Sequence, residues 1–393
     1  MNVLRLKKRE ERRIQSGHGW IFSNEIDTQQ TPLKGLEPGA PATVTSVNGK
    51  FLAHVYVNPH SLIAARVTSR RANEPFNATV LRARLGRALE LREALYPKPY
   101  YRWVHSEGDF LPGLTVDRYG ETLVVQITTA GMEHYRDDIV DALKTLSGAA
   151  NIYLRNDASV RELEHLPLYR EWVFGNATDT LAINENDLDF EVPAELGQKT
   201  GWFYDHRDSR NAIKEWVKGK RVLDLYTYLG AFGLNAAVAG AESVLAIDAS
   251  ETAVNAANAN AIRNGLESNF TAKASDAVEA MRTLFEERER FDVVILDPPA
   301  FIKRRKDRDA GMRHYALNNR LAMRLLNPGG IILSASCSQA LSHEELIQQM
   351  RLGTPKGSLG LQLLSTLRQG ADHPVHASMP ETLYLTGVIG RVV

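Results

Sequence analysis

From about residue 181 the chain repeats one pattern: a short apolar run, a turn, then a stretch with helical spacing. The runs are "RVLDLY", "SVLAID", "FTAKAS", "FDVVILD" and "GIILSAS", separated by segments such as "LNAAVAG", "ETAVNAANANAIRNG" and "NNRLAMRLLN". Strands that are apolar without alternation must be covered on both faces. Intervening helices do this around a parallel, doubly wound sheet. The region is therefore expected to be α/β, with ligands outside the carboxyl ends of its strands.

The strand ends carry the chemistry. After the first comes "DLYTYLGAFG", with Asp224 and a turn ending in Gly230, Phe232 and Gly233. Glycines there would let backbone approach a ligand. The turn lacks the Gly-x-Gly-x-x-Gly spacing of a pyrophosphate site, which argues against nicotinamide and flavin cofactors. Asp248 ends the second strand, 24 residues past Asp224, and is placed to accept hydrogen bonds from ribose hydroxyls. Asp276 follows the third, where an adenine amino group would lie. Any one of these acids could cap a helix, Asp248 before Ser250 above all. Three at successive strand ends point to a nucleoside.

The fourth strand ends in "VVILDPPAF", where Asp297 precedes two prolines that fix the backbone and Phe301 lies close enough to stack on a planar base. Just past the fifth strand stands Cys337, the only cysteine of the 393 residues, among Ser334, Ser336 and Ser338. A lone buried cysteine is usually a small hydrophobe. This one sits in the same row of strand ends as Asp297.

The first 72 residues read differently, as short β-like runs broken by "EPGAP", "VNGK" and "VNPH", which predicts a small β-rich barrel or sandwich. Residues 73–180 mix a helix over "NATVLRARLGRALELREAL", a second over "YRDDIVDALKTL", and strand-like pieces, an α+β unit. The expected domains are thus 1–72, 73–180 and 181–393. Net charge is zero, yet residues 1–72 hold 11 Lys/Arg against 5 Asp/Glu, with Lys7, Lys8, Arg9, Arg12 and Arg13 close together. That segment suits a polyanion. No apolar run is long enough to span a bilayer and no signal peptide is apparent; with a single thiol, this gives a cytoplasmic expectation without disulfide or Cys-rich zinc site.

"DPPAF" resembles motif IV of class I S-adenosylmethionine-dependent methyltransferases that act on exocyclic nitrogens or planar rings. "SASCS" resembles motif VI of the RNA cytosine-5 methyltransferases, in which the cysteine is the nucleophile. Together with "EGDFLPGLTVDRYG", "LGQKTGWFYDHRDSR" and "QGADHPV", the chain is similar over nearly its whole length to the RlmI-type ribosomal RNA cytosine-5 methyltransferases. The resemblance implies a PUA-like RNA-binding domain, a small β-rich middle domain and a Rossmann-like catalytic domain. It also implies S-adenosylmethionine as cofactor and RNA, 23S ribosomal RNA, as partner, with neither metal nor membrane. Monomer and homodimer stay open.

On this reading Cys337 adds to carbon 6 of cytosine, since carbon 5 is too weak a nucleophile to take a methyl group unaided. Asp297 would hold the ring's N3 and amine; it is also expected to touch the cofactor. Lys199, Thr200, Asp205, Arg207 and Arg210 would line the methionine end, with Arg207 or Arg210 on its carboxylate. Phe301 would stack on the base, and Lys303, Arg304 and Arg305 would contact phosphates. Leu229 departs from the family's motif I and is expected to cost one cofactor hydrogen bond; His373 is expected near the site. The competing readings are an N-methyltransferase acting on adenine or guanine of RNA, which needs no thiol, and a non-catalytic RNA-binding assembly factor.

Overall fold

The computed structural model describes residues 2–194 and 201–393, apart from the Arg305 side chain; Lys199 and Thr200 lie outside the described residues. The chain forms two compact units. One comprises residues up to Leu181 with Pro193–Trp202 and Ala371–Thr382; the other comprises Ala182–Val192, Phe203–Gly370 and Leu383–Val393. Of the described residues that sequence alone gave to the catalytic region, 193–194, 201–202 and 371–382 thus belong with the first unit.

The first unit holds two five-stranded sheets. The earlier one contains Pro41–Thr45, where alternation buries Ala42 and Val44 against Leu4, Ile21 and Val55. The later one carries the helix Ala78–Leu95, started by Asn77, whose side chain accepts the Val80 N–H at 3.0 Å. Two of its strands, Tyr100–His105 and Tyr169–Phe174, were not anticipated from sequence. Buried ion pairs hold this sheet. Arg92, fully buried, donates to both oxygens of Asp109 at 2.7 Å. Arg102 donates to both oxygens of Asp117 at 2.8 and 2.7 Å. The Asp372 carboxylate accepts the Arg102 N–H at 3.0 Å and its carbonyl accepts Arg92 at 2.9 Å, which fastens segment 371–382 to the unit. Two motifs of the family resemblance, 108–120 and 369–375, therefore meet in this network.

The second unit is built on a seven-stranded sheet: β1 (Arg221–Leu225), β2 (Ser243–Asp248), β3 (Phe270–Ala274), β4 (Phe291–Leu296), β5 (Leu326–Ser336), β6 (Leu361–Leu367) and β7 (Thr386–Val392). Its spatial order is β3-β2-β1-β4-β5-β7-β6. β1 to β5 are parallel, and β7 runs antiparallel to both its neighbours. The helices used below are α1 (Arg207–Ile213), α2 (Ala231–Val238), α3 (Glu251–Arg263), α4 (Ala277–Glu286) and α5 (Arg308–Arg324). The five strands expected from sequence are present; β6 and β7 were not foreseen. β6 lies at the edge with nearly every side chain exposed, so it carries no apolar rhythm. The order reverses at β1, so the carboxyl ends of β1 and β4 form the switch point outside which such sheets take their ligands.

Candidate active site

Asp224, buried near the end of β1, accepts the Gly233 N–H at 2.9 Å and the Thr227 hydroxyl at 2.5 Å. Burial pushes its carboxyl up to about 7 in spite of these two bonds. It ties the loop to the start of α2. The glycines of this turn also serve packing. A Cβ on Gly233 would come within 2.7 Å of the Phe270 ring and 3.0 Å of Asp224. One on Gly230, whose φ is +82°, would come within 3.1 Å of Phe270 and 3.2 Å of Ala257. Both let the turn settle onto β3 and α3. Leu229 is fully buried, so its apolar side chain belongs to the core.

The same turn holds Tyr226 and Tyr228 at φ +63° and +52°. Left-handed backbone at two non-glycine residues is strained and clusters at functional sites. Nothing in "YTY" signals this one-dimensionally. Tyr226 donates its hydroxyl to Asn318 at 2.7 Å, and the Tyr228 N–H donates to Asp248 at 2.9 Å. Asp248 also accepts the Ser250 N–H at 2.9 Å, on its other oxygen. Each oxygen thus keeps a lone pair for a ribose diol. Ser250, not Asp248, caps α3 by accepting from Ala253. Asp276 does cap a helix: its Oδ1 takes the N–H groups of Val278 and Glu279, leaving Oδ2 for an amine.

β4 and β5 pair with Leu296 opposite Ser334, so Asp297 and Cys337 leave adjacent strands at the same edge of the sheet. Asp297 is 22% exposed, and His206 Nε2 lies 3.3 Å from its Oδ1. Burial disfavours the imidazolium, but Asp297, with Asp205, outweighs it and holds His206 above the ordinary histidine range. His206 Nδ1 is buried without a hydrogen bond among the described residues, and its ring meets Phe232 edge-on at 5.4 Å. His206 escaped the sequence reading. It stood in a quoted motif, but no spacing rule pairs it with Asp297.

Cys337 is half-buried just past β5. Ser336 and Ser338 beside it tie the loops together. The buried Tyr315 hydroxyl accepts from Ser336 at 2.7 Å and bonds Ser338 at 2.8 Å, and the Ser338 hydroxyl accepts the Ile302 N–H at 3.2 Å. The "DPPAF" and "SASCS" loops are thereby joined. Phe301 is packed edge-on to Tyr315 at 4.9 Å and lies 5.3 Å from His314, so part of the ring expected to meet a base meets protein. Lys303 and Arg304 are exposed; the Arg305 side chain lies outside the described residues.

Before β1, three of the expected methionine-binding residues, Asp205, Arg207 and Arg210, also make bonds within the protein. Arg210, buried, donates to Glu185 at 2.6 Å and to the Phe203 carbonyl at 2.8 Å. Arg207 donates to the other oxygen of Glu185 at 3.5 Å. Both guanidinium groups thus share Glu185 as a carboxylate partner. Glu185 was missed because it lies on a hairpin strand, Thr180–Glu185, remote in sequence from any motif. Asp205, buried, accepts the Tyr384 hydroxyl at 2.5 Å.

In the first unit, Lys8, Arg9 and Arg12 are exposed, and Lys7, also exposed, donates to the Asn24 carbonyl at 2.8 Å. Arg13 departs from the expected cluster: it is paired with Glu25 at 2.7 Å and lies over Phe22. His373 also belongs to this unit, bonded to Asp372 at 2.8 Å beside His105. Among the described residues no group of His, Cys, Asp or Glu is arranged to hold a metal, and no helix is long and apolar enough to cross a membrane.

The carboxyl-end edge of the sheet fits an adenosyl cofactor: Asp248 retains acceptor capacity for a diol, Asp276 faces no competing cap at Oδ2, and His206 keeps an unbonded buried nitrogen. Comparison with known proteins agrees. Residues 4–70 match a PUA-like domain, and residues 154–372, more than half of the chain, match an S-adenosylmethionine-dependent methyltransferase. Relatives named ribosomal RNA large subunit methyltransferase I from Erwinia tasmaniensis and Cronobacter sakazakii are each 35% identical, covering 99% of this chain and 98% of theirs. A solved chain described as a methyltransferase complexed with SAH has the same fold over 100% of both chains, with TM-score 0.86 and 21% identity. The chain belongs to the S-adenosylmethionine-dependent methyltransferases, in the family of the ribosomal RNA large subunit methyltransferase I proteins.

Proposed function

We propose that this enzyme methylates carbon 5 of one cytosine in RNA, 23S ribosomal RNA, through a covalent bond between Cys337 and carbon 6, in the cytoplasm. The observation that carries this is the delivery of Cys337 and Asp297 from adjacent parallel strands to one edge, with their loops joined through Ser338. S-adenosylmethionine, when bound, would supply an electrophilic methyl group, with S-adenosylhomocysteine as the leaving product. The Cys337 thiolate adds to carbon 6, and Asp297 steadies N3 and the amine while charge builds at carbon 5. Carbon 5 takes the methyl group; loss of its proton to water and expulsion of the thiolate restore the ring. His206, beside Asp297, is assigned to positioning that carboxylate. The target carbon is stacked in a helix, so the substrate cytosine is unpaired or flipped. The names of the curated relatives support ribosomal RNA as substrate, and the PUA-like match supports RNA binding by the first domain. The domain division at 72/73 and 180/181 belongs to this reading.

The test is nucleoside mass spectrometry of 23S RNA after incubation with protein and S-adenosylmethionine. The expected product is 5-methylcytosine, absent with Cys337→Ala while cofactor binding persists. A methylated purine, or turnover without Cys337, rejects the mechanism.

A further inference from the structure

The first unit contains a cleft of about 610 Å³ whose wall includes Arg70, Arg84, Arg87, Glu107, Asp109 and Phe110. Its charge is less balanced than its composition implies. Glu107 is paired with Arg66 at 2.8 Å, and Asp109 is gripped by the fully buried Arg92. Neither Arg66 nor Arg92 lines the cleft. These two carboxylates are thus neutralised from beneath, and the third in the wall, Glu74, is paired with Arg71, also of the wall, at 3.3 Å. The guanidinium groups of Arg70 and Arg84 are held by backbone carbonyls, those of Gly17 and His18 for Arg70 and of Thr68 and Phe110 for Arg84. Among the described residues, neither they nor the exposed Arg87 form an ion pair with a carboxylate. Carbonyls orient a guanidinium without cancelling its charge.

Arg84 and Arg87 stand three apart on the helix Ala78–Leu95, hence on one face. Burial, then the like charge of Arg87, lowers Arg84 to about 10, and burial lowers Arg70 as well. These are partly desolvated cations in want of an anion. At the rim stands Phe110, 59% exposed, at φ +60°. An exposed aromatic ring on left-handed backbone is strained, and such strain clusters at functional loops. The loop below it packs closely: a Cβ on Gly108 would meet the Pro374 carbonyl at 2.2 Å.

We propose that this cleft is an RNA-binding site separate from the methyl-transfer residues, with Arg70, Arg84 and Arg87 on backbone phosphates and Phe110 stacked on an unpaired base. The proposal rests on RNA being the substrate and deepens that reading. Cations along a groove with one aromatic platform are the combination that grips unpaired RNA.

The test uses the full-length protein and protein-free 23S RNA, with binding measured across a salt series. Arg87→Glu weakens binding at least about 10-fold and lowers the slope of log affinity against log salt by about one or more. Phe110→Ala weakens it roughly 5- to 100-fold with the slope unchanged. Arg82→Glu, an exposed position on the same helix outside the cleft, is the control for net charge. Unchanged affinity in the first two variants, or equal weakening by the control, overturns the proposal. Wild-type affinity for naked RNA combined with lost binding to intact large subunits also overturns it, giving the cleft to a ribosomal protein. RNA binding that follows the expected pattern without any 5-methylcytosine from the wild type would sink the catalytic reading and leave the cleft standing.

Discussion

Two regions, one in each unit, bury charge in opposite ways. Beside the later sheet of the first unit, Arg92 and Arg102 each grip both oxygens of an aspartate. At the carboxyl ends of β1 and β4 in the second, Asp224 sits buried with two neutral donors, and Asp297 has the His206 imidazole at 3.3 Å. Saturated pairs specify a fold; under-compensated groups have perturbed titration and mark a site. Sequence composition cannot separate the two, because the same residue types occur in both.

If this contrast is right, removing charge from the first unit costs stability and removing it from the second costs turnover. The largest effect is expected from Arg102→Ala, which removes the guanidinium gripping both oxygens of the buried Asp117 and should destabilise by about 3–5 kcal/mol in urea unfolding. Retained stability would break the comparison at its first half. His206→Asn should lower kcat by roughly 10- to 100-fold with little change in KM for the cofactor, and flatten the pH–rate profile; a purely structural histidine would lower stability and leave that profile unchanged. Gly233→Ala drives a methyl group to within 2.7 Å of Phe270 and should cost about 1–3 kcal/mol, read as a lowered melting temperature.

The subtlest difference is in pH. Asp224 binds its proton more tightly when folded, so its contribution falls as pH rises from about 4 to about 7. His206 has the same sign: its raised pKa gives stability at acid pH that is lost as pH climbs through the folded value. Glu107, in the first unit, is opposite. Burial would raise it, but Arg66, with hydrogen bonds from Ser106 and Trp20, holds it below the ordinary glutamate range, so its contribution is lost on acidification. Hydrogen exchange corrected for intrinsic rates should show the first unit loosening toward acid and the second toward alkali. Asp224→Asn should reduce the second trend, and parallel trends in both units would refute the assignment.

What the sequence determined by itself was whatever depends on near neighbours. Uninterrupted apolar runs separated by helical spacing required a covered parallel sheet, and the residues following each run had to gather at one edge. This is why Asp224, Asp248, Asp276, Asp297 and Cys337 were legible before any coordinates. Tertiary structure alone decided which of the charged residues are already bound. Arg210 meets Glu185, His206 meets Asp297, and Arg92 meets the carbonyl of Asp372, 280 residues away. It also decided that Gly233 serves Phe270 and that an edge strand forms from "LQLLSTL". The physical reason is range. Burial periodicity repeats every two to four residues and can be read along the chain, whereas a charge takes its meaning from a partner within 4 Å in space, at no characteristic separation in sequence.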